Sequence, residues 1–297
     1  MEGFNLCVKI NYKFLLCILV AIILTIFYAV ANQALSTSAP ISAEYSYELP
    51  VLMYHHIMES GGQLGAYCIT PTEFENDLKY LKENGYNSIV VADLIDYCYS
   101  GKPLPQKPVM ITFDDGYQSN YVYAYPLLKE YNMRAVVSII GRYADLYSES
   151  DDHSVRYAHM TWEELAEISK AGVFEIQNHS YNCHSQNSAR KGIRKLSSES
   201  DEQYATFLQE DLGKLQIRMQ EMLGYSATAF AFPFGASSKS SHQILKDMGF
   251  YATFSSAEGL NYLTGNPEEL YKIKRFNRPH NITTETFFGK VYAKAKR

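Results

Sequence analysis

The chain has 297 residues, of which 46% are hydrophobic and 20% charged, a balance that excludes a disordered chain and allows one large domain or two small ones. Lys and Arg total 27 against 32 Asp and Glu, so the net charge of -5 argues against nucleic acid as the main partner. Cys7 and Cys17 lie in the apolar N-terminal region and Cys68, Cys98 and Cys183 in the remainder, an odd number that implies no complete disulfide framework.

Residues 14–31, FLLCILVAIILTIFYAVA, are uncharged and follow Lys9 and Lys13, the pattern of an export signal or a single membrane anchor. Ala29-Val30-Ala31 fits a small-x-small cleavage site, while the length of the run fits an uncleaved hydrophobic helix. In either case Lys9 and Lys13 belong on the cytoplasmic side, and the rest of the chain is expected to face outward. Residues 1–31 are therefore read as signal or anchor. Residues 32–48, rich in Ser, Thr, Ala and Glu and without periodicity, are read as a linker, and residues 49–297 as the folded domain.

From Leu49 onward short apolar runs alternate with helical patterns. The runs at 51–55, 88–91, 109–113, 135–140, 173–177, 228–232, 252–255 and 272–276 predict eight strands, the rhythm of an α/β chain folded as a βα barrel. Thr70-Pro71-Thr72-Glu73 and Thr161-Trp162-Glu163-Glu164 are capping boxes, and Gly85 and Gly172 close the helices they open. The longest predicted helix spans 199–223.

Asp114 and Asp115 end the third predicted strand, and His179 follows the fifth. Neighbouring carboxylates repel, so the pair calls for a cation or a proton. His179 and His184 are five positions apart, which is not one helix face, so they belong on a loop. Asp115, His179 and His184 would form an open metal triad, which generates a nucleophile from water at neutral pH, with Asp114 taking the water's proton. Cys183, between the histidines, reads as an incidental thiol. Phe232-Pro233-Phe234-Gly235 ends the sixth strand and leaves the amide of Phe234 free to point inward. His55 and His56 end the first strand, on the same C-terminal rim.

TFDDGY at 112–117, HSYNCH at 179–184 and FPFG at 232–235 resemble, in order and spacing, the first three motifs of the polysaccharide deacetylases, the NodB-homology or carbohydrate esterase family 4 domain. The resemblance covers the chain from Leu49 onward. PVLMYHHI at 50–57 and the five-residue histidine spacing look most like the branch that acts on poly-N-acetylglucosamine. It implies a distorted (β/α)7–8 barrel with a groove for linear N-acetylated sugars, in which Asp114 is the general base and Asp115, His179 and His184 bind a divalent ion, Zn²⁺ ahead of Co²⁺, Ni²⁺ or Fe²⁺. Phe234 would give its amide to the oxyanion and His280 would be the general acid, with His55 an alternative acid or substrate contact. Tyr117 and Pro233 would also line the substrate. The family's third motif commonly begins with an arginine that braces the base; Ala227-Thr228-Ala229-Phe230 has none, which leaves Arg275 or Arg278 for that task.

The implied function is metal-dependent removal of N-acetyl groups from N-acetylglucosamine units of an extracellular or cell-wall polysaccharide, in a bacterial protein. The alternatives are a deacylase of another sugar such as N-acetylmuramic acid, or a catalytically silent carbohydrate-binding module. The basic run from Arg190 to Lys195 reads as a solvated loop balancing Glu199, Asp201 and Glu202. Asn178-His179-Ser180 matches a glycosylation sequon that a glycan would occupy only by burying the site.

Overall fold

The computed structural model describes residues 46–61, 64–185 and 189–293. In chain order the strands are β1 (Tyr47–Leu49), β2 (Val51–Tyr54), β3 (His56–Ile57), β4 (Cys68–Ile69), β5 (Asn87–Ile89), β6 (Pro108–Asp115), β7 (Ala135–Ile139), β8 (Phe174–Asn178), β9 (Ala229–Ala231), β10 (Ala252–Phe254), β11 (Asn261–Leu263) and β12 (Phe276–Asn277). The helices are α1 (Pro71–Glu83), α2 (Val91–Ser100), α3 (Tyr125–Tyr131), α4 (Gly141–Ser148), α5 (Trp162–Lys170), α6 (Asp201–Leu223), α7 (Ser241–Asp247) and α8 (Thr284–Ala293).

All eight predicted strands are present among the described residues and pair in parallel, in the order β10-β9-β8-β7-β6-β2-β12 with β5 alongside the first half of β6. The sheet is a curled half-barrel and not a closed (β/α)7–8 barrel. One isolated parallel bridge, Phe254 to Ile273, brings the β10 edge to the segment that leads into β12. That segment was expected to be strand from Lys272, but Lys272 has φ 61°, outside the β region, so the ladder starts only at Phe276. Tyr47 and Glu48, assigned by sequence to the linker, belong to β1, which pairs antiparallel with β11. The hydrophobic helix expected over 1–31 lies outside the described residues, and among those described no helix is long and apolar enough to cross a membrane.

Period-2 alternation along β6 divides the core in two. Val109, Ile111 and Phe113 face the helices, where they pack with Phe74 of α1, Leu165 of α5 and Leu212 of α6. Met110 faces the inside of the curl with Val51, Val136, Ala229, Ala252 and Phe254, a layer kept thin by alanine on the edge strands. Every residue of β6 is buried, as expected for a strand covered on both faces. The capping boxes at Thr70 and Thr161 form as predicted, and α6 is capped by Ser200 and presents Tyr204, Leu208, Leu212, Leu215 and Met219 as one buried stripe.

Candidate active site

Thr112 and Asp114 continue the inward-facing side of β6 above Met110, so alternation itself carries the Asp114 carboxylate into the mouth of the curl. There it meets Arg275, whose Nη1 and Nη2 donate to Oδ1 and Oδ2 at 2.7 Å each. Arg275 is 1% exposed, its Nε donates to Ser255 O, and its guanidinium lies over the Phe254 ring. Burial alone would raise the Asp114 pKa; the Arg275 and His179 charges outweigh it and hold the carboxyl at about 2. Of the two arginines nominated by sequence, Arg275 braces Asp114. Arg278 instead pairs with Asp77 of α1 in a fully buried network with Tyr54 and Thr284.

Alternation would send Asp115 to the opposite, helix-covered face. Its φ of 73° takes it out of the strand conformation and turns its carboxylate toward His179 and His184. Gly116 follows with φ 78°, and a Cβ there would lie 2.9 Å from Ile139 Cγ2, so only glycine continues this turn. Asp115 Oδ1 is 3.5 Å from His179 Nε2 and 3.3 Å from His184 Nε2.

The tautomer decides what this cluster can hold. His179 Nδ1 lies 2.8 Å from Ala231 O, which only an N–H can satisfy, so the neutral ring presents the Nε2 lone pair to the carboxylate. Asp115 Oδ1 is buried and has no hydrogen-bond partner among the described residues. Lone pairs facing one another in a buried site repel unless a positive charge sits between them. Two nitrogens and one oxygen on bonds of about 2.1 Å in a tetrahedral shell stand about 3.4 Å apart, which is the spacing found here between Asp115 Oδ1 and each imidazole. Asp115, His179 and His184 are a group of ligand-type side chains whose donor atoms all lie within 4.8 Å of one another. They fit a divalent ion. Burial lowers the His179 pKa, and the charges of Asp114 and Asp115 more than offset it, so the net shift is upward.

His55 lies on the other side of Asp114, its Nε2 3.9 Å from Asp114 Oδ2. Burial lowers its pKa more than the two aspartates raise it, so the neutral imidazole is favoured. Its ring stands 4.8 Å from Tyr67, which is 60% exposed at the rim. Asn120, in the π-helical turn Asn120–Ala124, donates to His55 O at 2.8 Å, and Ser119 Oγ lies 2.7 Å from His56 Nδ1. A cavity of about 310 Å³ opens beside Asp115 and His184, with Tyr117, Tyr143, Tyr157 and Arg156 among its lining. Its wall is a stack of rings, Tyr117 against His56 at 4.5 Å and against His159 at 4.7 Å.

Phe234 has φ 56° inside the turn Pro233–Gly235, and its ring lies 4.3 Å from that of His184. Pro233 is buried and begins the turn; the Phe234 amide makes no hydrogen bond among the described residues. His280 is not brought to this group. Its Nδ1 is 2.8 Å from Glu73 Oε2, on the carboxylate that also caps α1. Asn178 is fully buried and donates to Leu212 O, so its sequon cannot carry a glycan. Arg190 pairs with Glu199 and Lys195 with Asp201, which makes the basic run a balanced surface loop.

Tyr117 of the cavity wall was named from its motif, but sequence reasoning missed His159, Tyr143 and Tyr157, which lie on the loop and helix after β7 with no motif around them. The Asp77–Arg278 pair did leave a signal, an aspartate on the apolar stripe Phe74, Asp77, Leu78, Leu81 of α1.

A curled parallel α/β sheet with carboxylates and imidazoles converging at the C-terminal ends of its strands defines an enzyme site of the barrel type. A model of the family described as polysaccharide deacetylase matches residues 101–253. YxkH of Bacillus subtilis (strain 168), a chain named for the same family, is 31% identical over 227 residues, covering 73% of each chain. The poly-beta-1,6-N-acetyl-D-glucosamine N-deacetylase of Escherichia coli (strain K12) is 24% identical over 258 residues, 81% of this chain but only 38% of that longer relative. Among solved structures, the de-N-acetylase of Aggregatibacter actinomycetemcomitans superposes with a TM-score of 0.68 at 24% identity, over 81% of this chain and 97% of that one. The chain belongs to the polysaccharide deacetylase family of hydrolases.

Proposed function

We propose that this protein is a metal-dependent N-deacetylase that removes acetyl groups from N-acetylglucosamine units of a poly-N-acetylglucosamine polymer outside the cell. The observation that carries the chemistry is the juxtaposition of a braced, ionised Asp114 with the unpartnered Asp115 Oδ1 and its two facing imidazoles. The substrate reading is supported by the name of the Escherichia coli relative, and the location by the apolar run 14–31 behind Lys9 and Lys13.

A divalent ion held by Asp115, His179 and His184 would polarise the amide carbonyl and acidify the attacking water. The residues of the chain do the rest. Asp114 accepts the proton of the water as its oxygen bonds to the carbonyl carbon. The oxyanion that develops takes a hydrogen bond from the Phe234 amide. With a pKa near 2, Asp114 holds that proton poorly, and the neutral His55 Nε2 is 3.9 Å away to receive it. His55 then protonates the sugar nitrogen as the carbon–nitrogen bond breaks, so acetate and a free amine leave. His280, bound to Glu73, is not needed for this sequence of steps.

A second reading, N-acetylmuramic acid glycans, is favoured by one observation. Arg156 lines the cavity beside Asp115, is exposed, and makes no ion pair among the described residues, which suits the lactyl carboxylate of that sugar. Acetate release from N-acetylglucosamine oligomers in the presence of Zn²⁺ or Co²⁺, lost in Asp114→Asn, supports the first reading. Release from muramic-acid glycans alone moves the assignment to the second, and glycan binding with no release from either identifies a silent module.

A further inference from the structure

The five-residue spacing of His179 and His184 has to be delivered by an irregular loop, and irregular backbone must find partners for every amide and carbonyl it buries. The partners here come from three places. Ser180 and Tyr181 carbonyls accept from the Gly141 and Arg142 amides at 3.1 and 2.9 Å, two of the free N–H groups in the first turn of α4. The Ser180 amide donates to Asn178 Oδ1 at 2.8 Å, and the Cys183 amide to Ser180 Oγ at 3.0 Å.

Two further amides converge on one carboxylate. Tyr181 N donates to Asp211 Oδ1 and Asn182 N to Asp211 Oδ2, both at 2.9 Å. Asp211 sits on α6 beside Leu212, whose carbonyl accepts from Asn178 Nδ2 at 3.2 Å, so adjacent residues of one helix hold both ends of the loop. The helix itself is anchored by its buried stripe, which includes Leu212 and Leu215. Among the described residues no hydrogen bond or ion pair joins Asp211 to any of the three candidate ligands.

We propose that Asp211 is the positioning residue of this site: by holding the Tyr181 and Asn182 amides it fixes the path of the loop that presents His184, and so sets the affinity for the divalent ion. The inference rests on the reading of Asp115, His179 and His184 as ligands. Aspartate is required because two N–H groups need two acceptor oxygens. Asparagine would satisfy one and turn an NH₂ toward the other amide, donor against donor. Outer partners that orient metal ligands typically account for a 10–100-fold difference in affinity.

The test uses the full chain stripped of metal, titrated with Co²⁺ and followed by the visible absorption of the bound ion, with the melting temperature of the metal-free protein read in parallel. Asp211→Asn and Asp211→Ser are compared with the parent and with Asp201→Asn, an exposed change on the same helix, and the two Asp211 variants guard against a folding failure of either. The expected result is Co²⁺ binding weakened about 10–100-fold in both Asp211 variants and unchanged in Asp201→Asn, while kcat at saturating Co²⁺ stays within a few-fold of the parent. Affinity within twofold of the parent overturns the inference, even if stability falls, because a merely structural role lowers the melting temperature alone. A parent that binds no Co²⁺ overturns the ligand reading itself, and the inference with it.

Discussion

Arg275 closes a two-bond fork on Asp114 across 161 positions of the chain, with both nitrogen–oxygen distances at 2.7 Å. Both groups are almost fully buried, at 1% and 3% exposure, so each depends on the other for compensation of its charge. Arg275→Met is expected to leave a buried, unpaired carboxylate, at a cost of about 3–5 kcal/mol. Asp114 then loses the charge that depresses its pKa, and burial raises it. The sign is that of a depressed acid. The stabilisation is present above the unfolded value of about 3.9 and lost as pH falls toward about 2, so the parent loses stability across that window while the variant, its carboxyl pKa raised, does not, and the gap between them narrows at the lower pH. Urea titrations at pH 6 and pH 3.5 measure this. Arg275→Lys keeps the charge without the fork and is expected to lower kcat about 100-fold with a smaller loss of stability.

The proposed mechanism gives His55 the role of acid that the family resemblance implied for His280, which is bound to Glu73. His55→Ala is expected to lower kcat about 100–1,000-fold, the range of a lost proton donor. His280→Ala removes one partly exposed partner of Glu73, and is expected to cost at most about 1 kcal/mol with activity nearly intact. Steady-state acetate release compares them. A deficit in His280→Ala as large as that in His55→Ala would contradict the assignment of His55 as acid.

Removal of bound metal by a chelator, followed by dialysis, is expected to abolish acetate release and to lower the melting temperature, with both restored by Zn²⁺ or Co²⁺. The stabilisation follows mass action, about 2.7 kcal/mol at a hundredfold excess over Kd. His184→Ala is expected to show neither the loss nor the rescue. Unchanged activity after exhaustive chelation would remove the metal from the reaction.

His159, walled by Tyr117 and Tyr143 and only 8% exposed, has its pKa lowered to about 4 by burial. The neutral form is the one the fold accepts. Between pH 6.5 and pH 4 the unfolded chain therefore takes up a proton that the native state refuses, and stability declines as pH falls through this window by up to about 3 kcal/mol. His159→Phe keeps the ring stack and lacks the proton site. Metal-free parent and variant, unfolded in urea at pH 7 and pH 4.5, are expected to diverge at the lower pH, with the variant losing less. Parallel behaviour of the two would assign the acid sensitivity to other groups.

The strand sequence was legible because parallel strands buried on both faces are continuous apolar runs, of which Val109-Met110-Ile111 is the clearest. The strands β1, β3, β4 and β11 were not foreseen; each has two or three residues, too few for a period to declare itself. The capping boxes at Thr70 and Thr161 were legible because their hydrogen bonds close within four residues. Asp114, Asp115, His179 and His184 stood out because they occupy strand ends at which titratable side chains have no packing role.

Sequence alone determined that this is an alternating α/β chain of deacetylase type with two carboxylates set against two histidines, since these features are written in local periodicity and short motifs. Which arginine braces Asp114, which histidine stands beside it, how Asp115 leaves the strand's alternation, and which helix holds the loop of His184 were decided only by the tertiary structure. Arg275 and Arg278 are three positions apart in similar company, and one turns to Asp114 while the other turns to Asp77. The reason is physical. Burying a charge is tolerable only where an opposite charge and its acceptors are already in place, and that place is made by segments far apart in the chain.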